Sequence, residues 1–202
     1  MARKVNSVTP HSFSQLSPVE QYLSIYRFNE RKKKYPTGIL IHELFEGQAK
    51  RSPNAIAVTY LKKKITYQKL DQDSNRLANY LIKKGAKQKS FIAVSVDRSI
   101  EMITSLLAVL KIGAAYVPIE PSLPEELIKF MISDSSSDIV ITTNKYLENF
   151  AKTKAKLLKI DSELDKIRNE STIKPNVNIK ESGVLDVPYS DHLPVWVTVE
   201  NV

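Results

Sequence analysis

The sequence of 202 residues contains no cysteine. Disulfide bonds, thiolate metal ligands and a cysteine nucleophile are therefore excluded, and the composition gives no reason to expect an oxidising compartment. No apolar run approaches the roughly 20 residues that a membrane helix requires. The N-terminal residues also lack the apolar core of a signal peptide. We therefore expect a cytoplasmic protein without membrane contact.

Glycine is scarce, and the glycines that occur are isolated from one another. They are Gly38, Gly47, Gly85, Gly113 and Gly183. Each can be explained as a turn or as the end of a helix. A loop that binds nucleotide phosphates needs several small residues in succession, because its backbone N–H groups must approach the phosphate oxygens closely. The sequence therefore contains no glycine-rich phosphate-binding loop.

The formal net charge of +8 raises the question of a nucleic-acid partner. The basic residues are nevertheless scattered in small clusters, at residues 31–34, 62–64 and 83–84 and between residues 152 and 159. Each cluster falls at a predicted helix end or loop, where a solvated basic surface is the commoner explanation. Most of these residues are lysines, whereas arginine is the better reader of phosphates and base edges. We therefore expect no specific nucleic-acid partner.

Residues 91–121 predict a βαβ unit around which the rest of the chain is organised. A β-branched and aromatic run at 91–96 is typical of a buried strand, and residues 114–119 supply a second apolar strand. Asp97 or Ser99 can cap the intervening helix, and Gly113 can end it. The apolar positions of this helix recur at helical spacing, at Ile100, Ile103, Leu106, Leu107 and Leu110, and Met102 and Val109 widen the stripe. Two strands joined in this way lie parallel to each other.

The remaining chain continues the alternation of strands and helices, which predicts a doubly wound α/β fold with one antiparallel hairpin. Predicted helices cover residues 16–28, 39–51, 67–84, 124–133 and 145–156. Predicted strands cover residues 55–60, 65–67, 139–142, 156–160 and 193–199, with the basic residues 62–64 as the hairpin tip. Residues 162–190 are polar and predict a long loop. The inward positions of the second and third helices are Leu40, Leu44, Phe45 and Ala49, and Leu70, Ser74, Leu77, Ala78 and Leu81.

One motif carries a resemblance to a known family. Residues 110–136, LKIGAAYVPIEPSLPEELIKFMISDSS, resemble the Leu-Lys-x-Gly-x-Ala-Tyr-Val-Pro-(Ile/Leu)-Asp-Pro signature of adenylation domains from nonribosomal peptide synthetases. These domains belong to the AMP-binding, adenylate-forming enzyme superfamily. The sequence departs from the family pattern at three positions, where Glu120 replaces Asp, Leu123 replaces a frequent Tyr and Leu127 replaces a frequent Arg.

Other stretches support the same resemblance, which covers roughly residues 15–198. Residues 65–85 resemble the family's Leu-Thr-Tyr-x-Glu-Leu-Asn motif, with Lys69 in place of Glu, and residues 39–51 resemble its Leu-His-Glu-Leu-Phe-Glu opening. Residues 1–36, which end in Tyr35 and Pro36, resemble a tail and the linker helix between a condensation and an adenylation domain. Residues 37–202 then correspond to a truncated N-terminal part of the adenylation domain.

The resemblance implies the N-terminal portion of the adenylate-forming fold, a mostly parallel sheet flanked by helices with a small antiparallel hairpin. The family activates an amino acid with ATP and Mg²⁺ and passes it to a carrier protein. Its phosphate-binding loop follows a strand to which residues 193–198 correspond, but no such loop follows here. We therefore expect a chain that is inactive alone, with no catalytic, cofactor-binding or metal-binding residue. Its expected partners are itself, other synthetase modules or a carrier protein.

Two further hypotheses remain open. The chain could be a protein-interaction module, because a truncated domain leaves apolar surface that a partner can cover. It could also be a Mg²⁺-dependent phosphoesterase, since residues 190–195 resemble the Ser-Asp-His-x-Pro-Val motif of the endonuclease/exonuclease/phosphatase family, in which Asp191 and His192 would polarise a water molecule. His42 has no Ser, Asp or second His at suitable spacing, so we expect a packing or capping role for it.

Overall fold

The structure, a computed structural model, describes residues 17–22, 38–177, 181–184 and 195–198. The chain divides into two units, Met1–Thr37 and Gly38–Val202. The first contains α1 (Pro18–Tyr22). The second contains α2 (Ile41–Arg51), β1 (Ile56–Tyr60), β2 (Lys63–Thr66), α3 (Tyr67–Lys83), β3 (Phe91–Val94), α4 (Ile100–Lys111), β4 (Ala115–Pro118), α5 (Glu125–Asp134), β5 (Ile139–Thr142), a 3-10 helix (Asn144–Phe150), β6 (Lys156–Lys159), α6 (Leu164–Arg168), β7 (Glu181–Val184) and β8 (Val195–Thr198).

Helix α1 begins at Pro18, within the helix predicted over residues 16–28. The backbone N–H of Glu20 donates to Ser17 Oγ at 3.3 Å, and the N–H of Ser17 donates back to the Glu20 carboxylate at 2.8 Å. This reciprocal pair is a capping box, and Pro18 occupies the first helical position, which requires no N–H donor. The remainder of the helix predicted over 16–28 lies outside the described residues.

The central element is a four-stranded parallel sheet in the order β4-β3-β5-β6. The predicted βαβ unit is confirmed, since β3 and β4 pair in parallel with Ile92 opposite Tyr116. Ser99 is the N-cap of α4, and its Oγ accepts from the Met102 N–H at 3.1 Å. Gly113 follows α4 with φ 70°, a conformation that glycine adopts without the strain of a side chain.

Helices cover both faces of this sheet, as the doubly wound pattern predicts. One face carries α3 and α4, whose buried side chains such as Leu77 and Val109 pack on Ile92 and Ile141. The other face carries α5 and the 3-10 helix, whose Ile128 and Phe150 share a cluster with the inward residues of β3 and β5. The fold class predicted from the sequence is therefore observed, including the separate antiparallel hairpin of β1 and β2.

The predicted inward faces need two corrections. In α4 the predicted positions Leu107 and Val109 are buried, but so are four residues outside the predicted stripe: Thr104, Ser105, Ala108 and Lys111. This helix packs against α3 as well as the sheet, so the side between those two neighbours is buried. In α2, Leu44 is 44% exposed, whereas Leu40 and Ala49 are buried as predicted. The predicted inward positions of α3 are all buried.

Three further local features differ from the sequence prediction. The hairpin turns at Leu61, where φ is 53°, so that the lysines predicted as its tip partly belong to β2. The segment predicted as a helix over 145–156 forms the shorter 3-10 helix. Gly47 and Gly183, predicted at turns or helix ends, lie within α2 and β7.

The long polar loop predicted over 162–190 contains α6 and β7. Glu163 precedes α6, and its carboxylate accepts from the Lys159 N–H at 3.0 Å and from the Tyr80 hydroxyl at 2.5 Å. Burial alone would raise the pKa of Glu163, but these hydrogen bonds and Lys84 outweigh burial and lower it. Helix α6 is thus fixed by tertiary contacts, and its five residues are too few to show a periodic sequence pattern.

Strand β4 is an edge of the parallel sheet, and its outer side is poorly suited to pairing. The N–H groups of Ala115 and Ile119 donate inward to carbonyls next to and within β3, at 2.9 and 3.0 Å. Tyr116 and Pro118 therefore direct their backbone groups outward. Because Pro118 has no N–H, this edge cannot form a regular ladder with another strand.

No helix in the described parts of the chain is long and apolar enough to cross a membrane.

Replacing Leu77, which is 1% exposed at the centre of the α3 interface, with alanine tests this packing. We expect Leu77→Ala to lower the free energy of unfolding by about 2–5 kcal/mol, because it removes buried contacts and leaves a cavity. Urea unfolding followed by circular dichroism measures the change. The matched control is Leu61→Ala, at a position 82% exposed, which should change the value by no more than about 0.5 kcal/mol. Equal losses in the two variants would contradict the described packing.

Candidate functional site at the carboxyl edge of the parallel sheet

The strand order places a crevice between the carboxyl ends of β3 and β5. The chain steps from β3 to β4 in one direction, and then returns to place β5 on the other side of β3. Where the direction reverses in this way, the connections leave the sheet on opposite faces, and ligands of α/β proteins bind there. This edge is therefore the position at which the fold itself favours a functional site.

Three side chains meet at the crevice. Asp97 follows β3, while Lys145 and Tyr146 follow β5. The Tyr146 hydroxyl donates to Asp97 Oδ1 at 2.5 Å, and Lys145 Nζ lies 3.0 Å from Asp97 Oδ2. Lys145 Nζ also donates to the Tyr146 hydroxyl at 2.6 Å. The protein's own groups thus close the crevice with a small hydrogen-bonded cluster.

The cluster favours the charged forms of Asp97 and Lys145. The hydrogen bond from Tyr146, and then that from Lys145, lower the pKa of Asp97, while the hydrogen bonds of Lys145 to Tyr146 and Asp97 raise the pKa of Lys145. Both side chains are more than half exposed, so solvent screens their attraction. Asp97 is therefore an anion over the physiological range, with its oxygens already bonded to the protein.

An open groove of about 850 Å³ lies beside this cluster. Its floor is apolar and is formed by β3, the residues after it and the first turns of α4, including Val94, Val96 and Met102. Asp97, Arg98, Glu120 and Lys145 bring charges of both signs to its lining. A groove with this mixed lining has no dominant electrostatic preference for an anion.

A second aspartate binds backbone donors at the carboxyl edge of the sheet, after β6. The Asp161 carboxylate accepts from the backbone N–H of Asn144 at 2.9 and 3.1 Å and from the N–H of Ser162 at 2.9 Å. The N–H of Asn144 lies at the start of the 3-10 helix, where backbone donors favour an anion. The protein's own carboxylate therefore takes the position that a phosphate would need.

The described residues do not fit a nucleotide triphosphate. Neither β3, β5 nor β6 is followed by glycine within its connecting loop, so no run of side-chain-free amides lies at this edge. Asp97 and Asp161 would instead repel phosphate oxygens. The described part of the chain also contains no cluster of three or more His, Asp or Glu side chains that could hold a metal ion.

The residues singled out by the sequence lie elsewhere. Asp191 and His192, the pair proposed for phosphoesterase chemistry, lie outside the described residues, so that hypothesis stays untested. His42 is buried in α2 at 3% exposure, in agreement with the packing role expected for it. Its Nε2 atom has no hydrogen-bond partner among the described residues.

Two features of functional interest are not predicted from the sequence, the cluster around Asp97 and the buried Lys111. From the sequence, Asp97 is predicted only as a possible cap of the helix that follows it. Asp97 directly follows one strand, and Lys145 and Tyr146 follow another. If the two strands are neighbours in a parallel sheet, these side chains lie at the same edge, and that placement could have predicted their contact. Lys111 is the second omission. Its side chain is completely buried, and the signal is a lysine in the last turn of an otherwise apolar helix.

Comparisons with known proteins agree with this fold. A model of the AMP-binding enzyme family matches residues 45–195. A linear gramicidin synthase of Brevibacillus parabrevis is 36% identical over 191 residues, which are 93% of this chain and 2% of that synthase. Bacitracin synthase 2 of Bacillus licheniformis is 40% identical over 139 residues, which are 69% of this chain and 5% of that synthase. The chain therefore belongs to the AMP-binding enzyme family, and its resemblance to nonribosomal peptide synthetases is confirmed.

Solved structures place the chain within a known fold. The N-terminal subdomain of NpsA from Klebsiella oxytoca matches with a TM-score of 0.63 at 20% identity, over 82% of this chain and 43% of that one. The AMPPNP-bound form of the nonribosomal peptide synthetase FmoA3 matches with a TM-score of 0.66 at 21% identity, over 86% of this chain and 18% of that one. These matches show the N-terminal part of the adenylate-forming fold.

The buried His42 generates a prediction about pH. Burial, and then the nearby Lys174, lower the pKa of His42 to about 4; Lys111 adds to this effect and Glu43 opposes it. The unfolded chain binds a proton at this histidine below about pH 6.5, whereas the folded chain does so only near pH 4. Stability contributed by neutral His42 is therefore present at pH 7 and is lost as the pH falls through this window.

We expect the wild-type protein to lose about 2–3 kcal/mol more unfolding free energy than His42→Leu between pH 7 and pH 4.5. Leucine fills a similar volume and cannot titrate, so its own pH dependence comes from the other ionisable groups. Urea unfolding at both pH values measures the difference. Parallel pH dependence in the two proteins would show that His42 titrates normally.

Proposed function

We propose that residues 37–202 form the front α/β part of an amino-acid adenylation domain of the nonribosomal peptide synthetase type, and that residues 1–36 form the linker that precedes it. The family match over residues 45–195 supports the first assignment. The Tyr-Pro ending of the basic segment at Tyr35 and Pro36 supports the second. The chain spans only a few per cent of the synthases it matches, so the activity of a whole domain is part of this proposal.

In such a domain an amino-acid carboxylate attacks the α-phosphorus of ATP, and pyrophosphate leaves as the aminoacyl-AMP forms. The aminoacyl group then passes to the thiol of a carrier protein, and AMP is released. ATP and Mg²⁺ are therefore the small-molecule requirements of the full domain. ATP-dependent activation draws on the cytoplasmic nucleotide pool, so a cytoplasmic location is part of the same proposal.

We further propose that these 202 residues do not form the adenylate by themselves. The observation that carries this proposal is the lack of a glycine-rich loop anywhere in the sequence. The carboxylates of Asp97 and Asp161 at the carboxyl edge of the sheet support it, since they accept from side-chain and backbone donors there. The role of this chain is then to supply the packed scaffold on which a catalytic region is built.

An interaction role is the second candidate, and one structural observation favours it. Several large apolar side chains are well exposed in the second unit: Leu61 at 82%, Ile173 at 76%, Phe130 at 62% and Ile41 at 56%. Covering such a side chain removes apolar surface from water, which is favourable. The proposed partners are a second copy of the chain, other synthetase segments or a carrier protein.

The absence of a phosphate-binding loop predicts no amino-acid-dependent pyrophosphate exchange by the purified 202-residue chain. The measurement is ATP–pyrophosphate exchange with each of the twenty amino acids, together with calorimetric titration of MgATP into the protein. A complete adenylation domain from a synthetase of this family serves as the positive control. Exchange above the protein-free blank, or heat of saturable MgATP binding, would contradict the proposal.

The exposed apolar side chains predict self-association of the same protein in the absence of other partners. Light scattering coupled to size-exclusion chromatography measures its mass over a range of concentrations. We expect a mass above that of one 22.9 kDa chain at the higher concentrations, and a return towards the monomer mass in Phe130→Lys if that side chain is covered in the assembly. A monodisperse monomer at all concentrations would count against the interaction role.

A further inference from the structure

A short polar segment lies along α3 without apolar anchoring at its centre. We call residues 170–175 the strap. Its residues Ser171, Thr172 and Ile173 are exposed, and Ile173 is 76% exposed, so burial of these side chains does not hold the segment in place. Pro175, at the end of the strap, is buried. Other contacts must therefore fix the path of the strap between these points.

Two asparagines of α3 bind the strap through its backbone. Asn79 Nδ2 lies 3.1 Å from the carbonyl oxygen of Ser171, 2.9 Å from that of Ile173 and 3.0 Å from that of Asn75, so its two N–H groups are shared among these three acceptors. Asn75 Nδ2 donates to the intervening carbonyl of Thr172 at 2.9 Å. Asn75 and Asn79 are one helical turn apart and lie on the same face of α3. They therefore hold three successive carbonyls and make no use of the strap's side chains.

Ion pairs fasten the two ends of the strap. Glu170 lies 2.7 Å from Lys83 Nζ at the end of α3. Lys174 Nζ lies 3.1 Å from the Glu46 carboxylate on α2. Ion pairs that are partly exposed contribute little free energy each, so the asparagine contacts at the centre carry the specificity of the attachment.

The buried Lys111 controls the orientation of one of these asparagines. Its Nζ donates to Asn75 Oδ1 at 2.7 Å, to Asp71 Oδ1 at 2.6 Å and to Ser74 Oγ at 2.8 Å. An ammonium group has three donors and no acceptor, so the Asn75 amide must present its oxygen to Lys111. The Nδ2 group then points away from Lys111 and towards the Thr172 carbonyl.

We propose that Lys111 is the positioning residue of a latch, which orients Asn75 so that Asn75 and Asn79 hold the strap to α3 by its backbone. The latch thereby sets where the chain leaves α6 on its way to β7. This role is independent of the proposed adenylation function, because it concerns contacts within the described chain.

A spin label on the strap tests the latch. The chain has no cysteine, so a nitroxide attached to Ile173→Cys reports on the strap without background labelling. A second protein, labelled at the exposed Ser133→Cys on α5, reports on the rest of the fold. Methionine at position 111 keeps the unbranched shape and fills the core, but it has no donor for Asn75. It also leaves Asp71 without its partner, which lowers stability, and the label at position 133 distinguishes that loss from loosening of the strap.

We expect Lys111→Met to increase the mobility of the nitroxide at position 173 several-fold, with little change at position 133. Asn75→Asp should do the same. The new carboxylate still accepts from Lys111, but it places an acceptor against the Thr172 carbonyl. Asn149→Asp is the matched control, since Asn149 Nδ2 also donates to a backbone carbonyl, that of Pro121 at 2.8 Å, away from the strap. It should leave the label at position 173 unchanged.

The spectra at the two labelled positions distinguish the latch from a general packing role of Lys111. An unchanged spectrum at position 173 in Lys111→Met overturns the role of Lys111, even if Asn75→Asp loosens the strap. Equal increases at positions 173 and 133 also overturn it, because they show a loss of core packing. If circular dichroism shows that Lys111→Met is unfolded, Asn75→Asp decides by the same two labels: a change confined to position 173 supports the latch, and any other result overturns it.

Discussion

The position of α4 between the parallel sheet and α3 is the constraint on which the rest of the structure depends. This helix connects two neighbouring parallel strands, and its packing on them and on α3 fixes the relative position of all four elements. The contact between α3 and α4 is the most extensive between any two described elements. Small side chains such as Ala78 and Ala108, both completely buried, allow this close approach. The buried side of α4 is therefore decided by two partners.

This double packing explains which parts of the fold could be predicted from the sequence. A strand with β-branched residues or a helix with one apolar face shows its period directly, and the predictions for β5 and α3 agree with the structure nearly to the residue. A helix that packs on two sides, such as α4, does not show its buried face directly in the sequence. Its apolar stripe is broad, and a lysine can lie at the buried edge. Short elements such as α6 are fixed by contacts like that of Glu163 with Tyr80, which join residues far apart in the sequence.

The candidate site shows the same limit. That Asp97 follows a strand could be seen in the sequence, but its meeting with Tyr146 depends on β5 lying next to β3. The strand order 4-3-5-6 supplies that adjacency, and no local pattern encodes it. In contrast, the lack of a phosphate-binding loop could be established from the sequence alone, because it rests on residue type. Chemistry that requires glycine can be excluded without knowing which strands are neighbours.

The two edges of the parallel sheet have a consequence for the behaviour of the isolated chain. At one edge Pro118 interrupts the row of outward N–H groups on β4, and at the other edge β6 begins and ends with the lysines Lys156 and Lys159. Both devices oppose the addition of a further strand. Extension of this four-stranded sheet by backbone pairing between copies is therefore disfavoured. Association of copies through this part of the molecule then relies on side-chain surfaces.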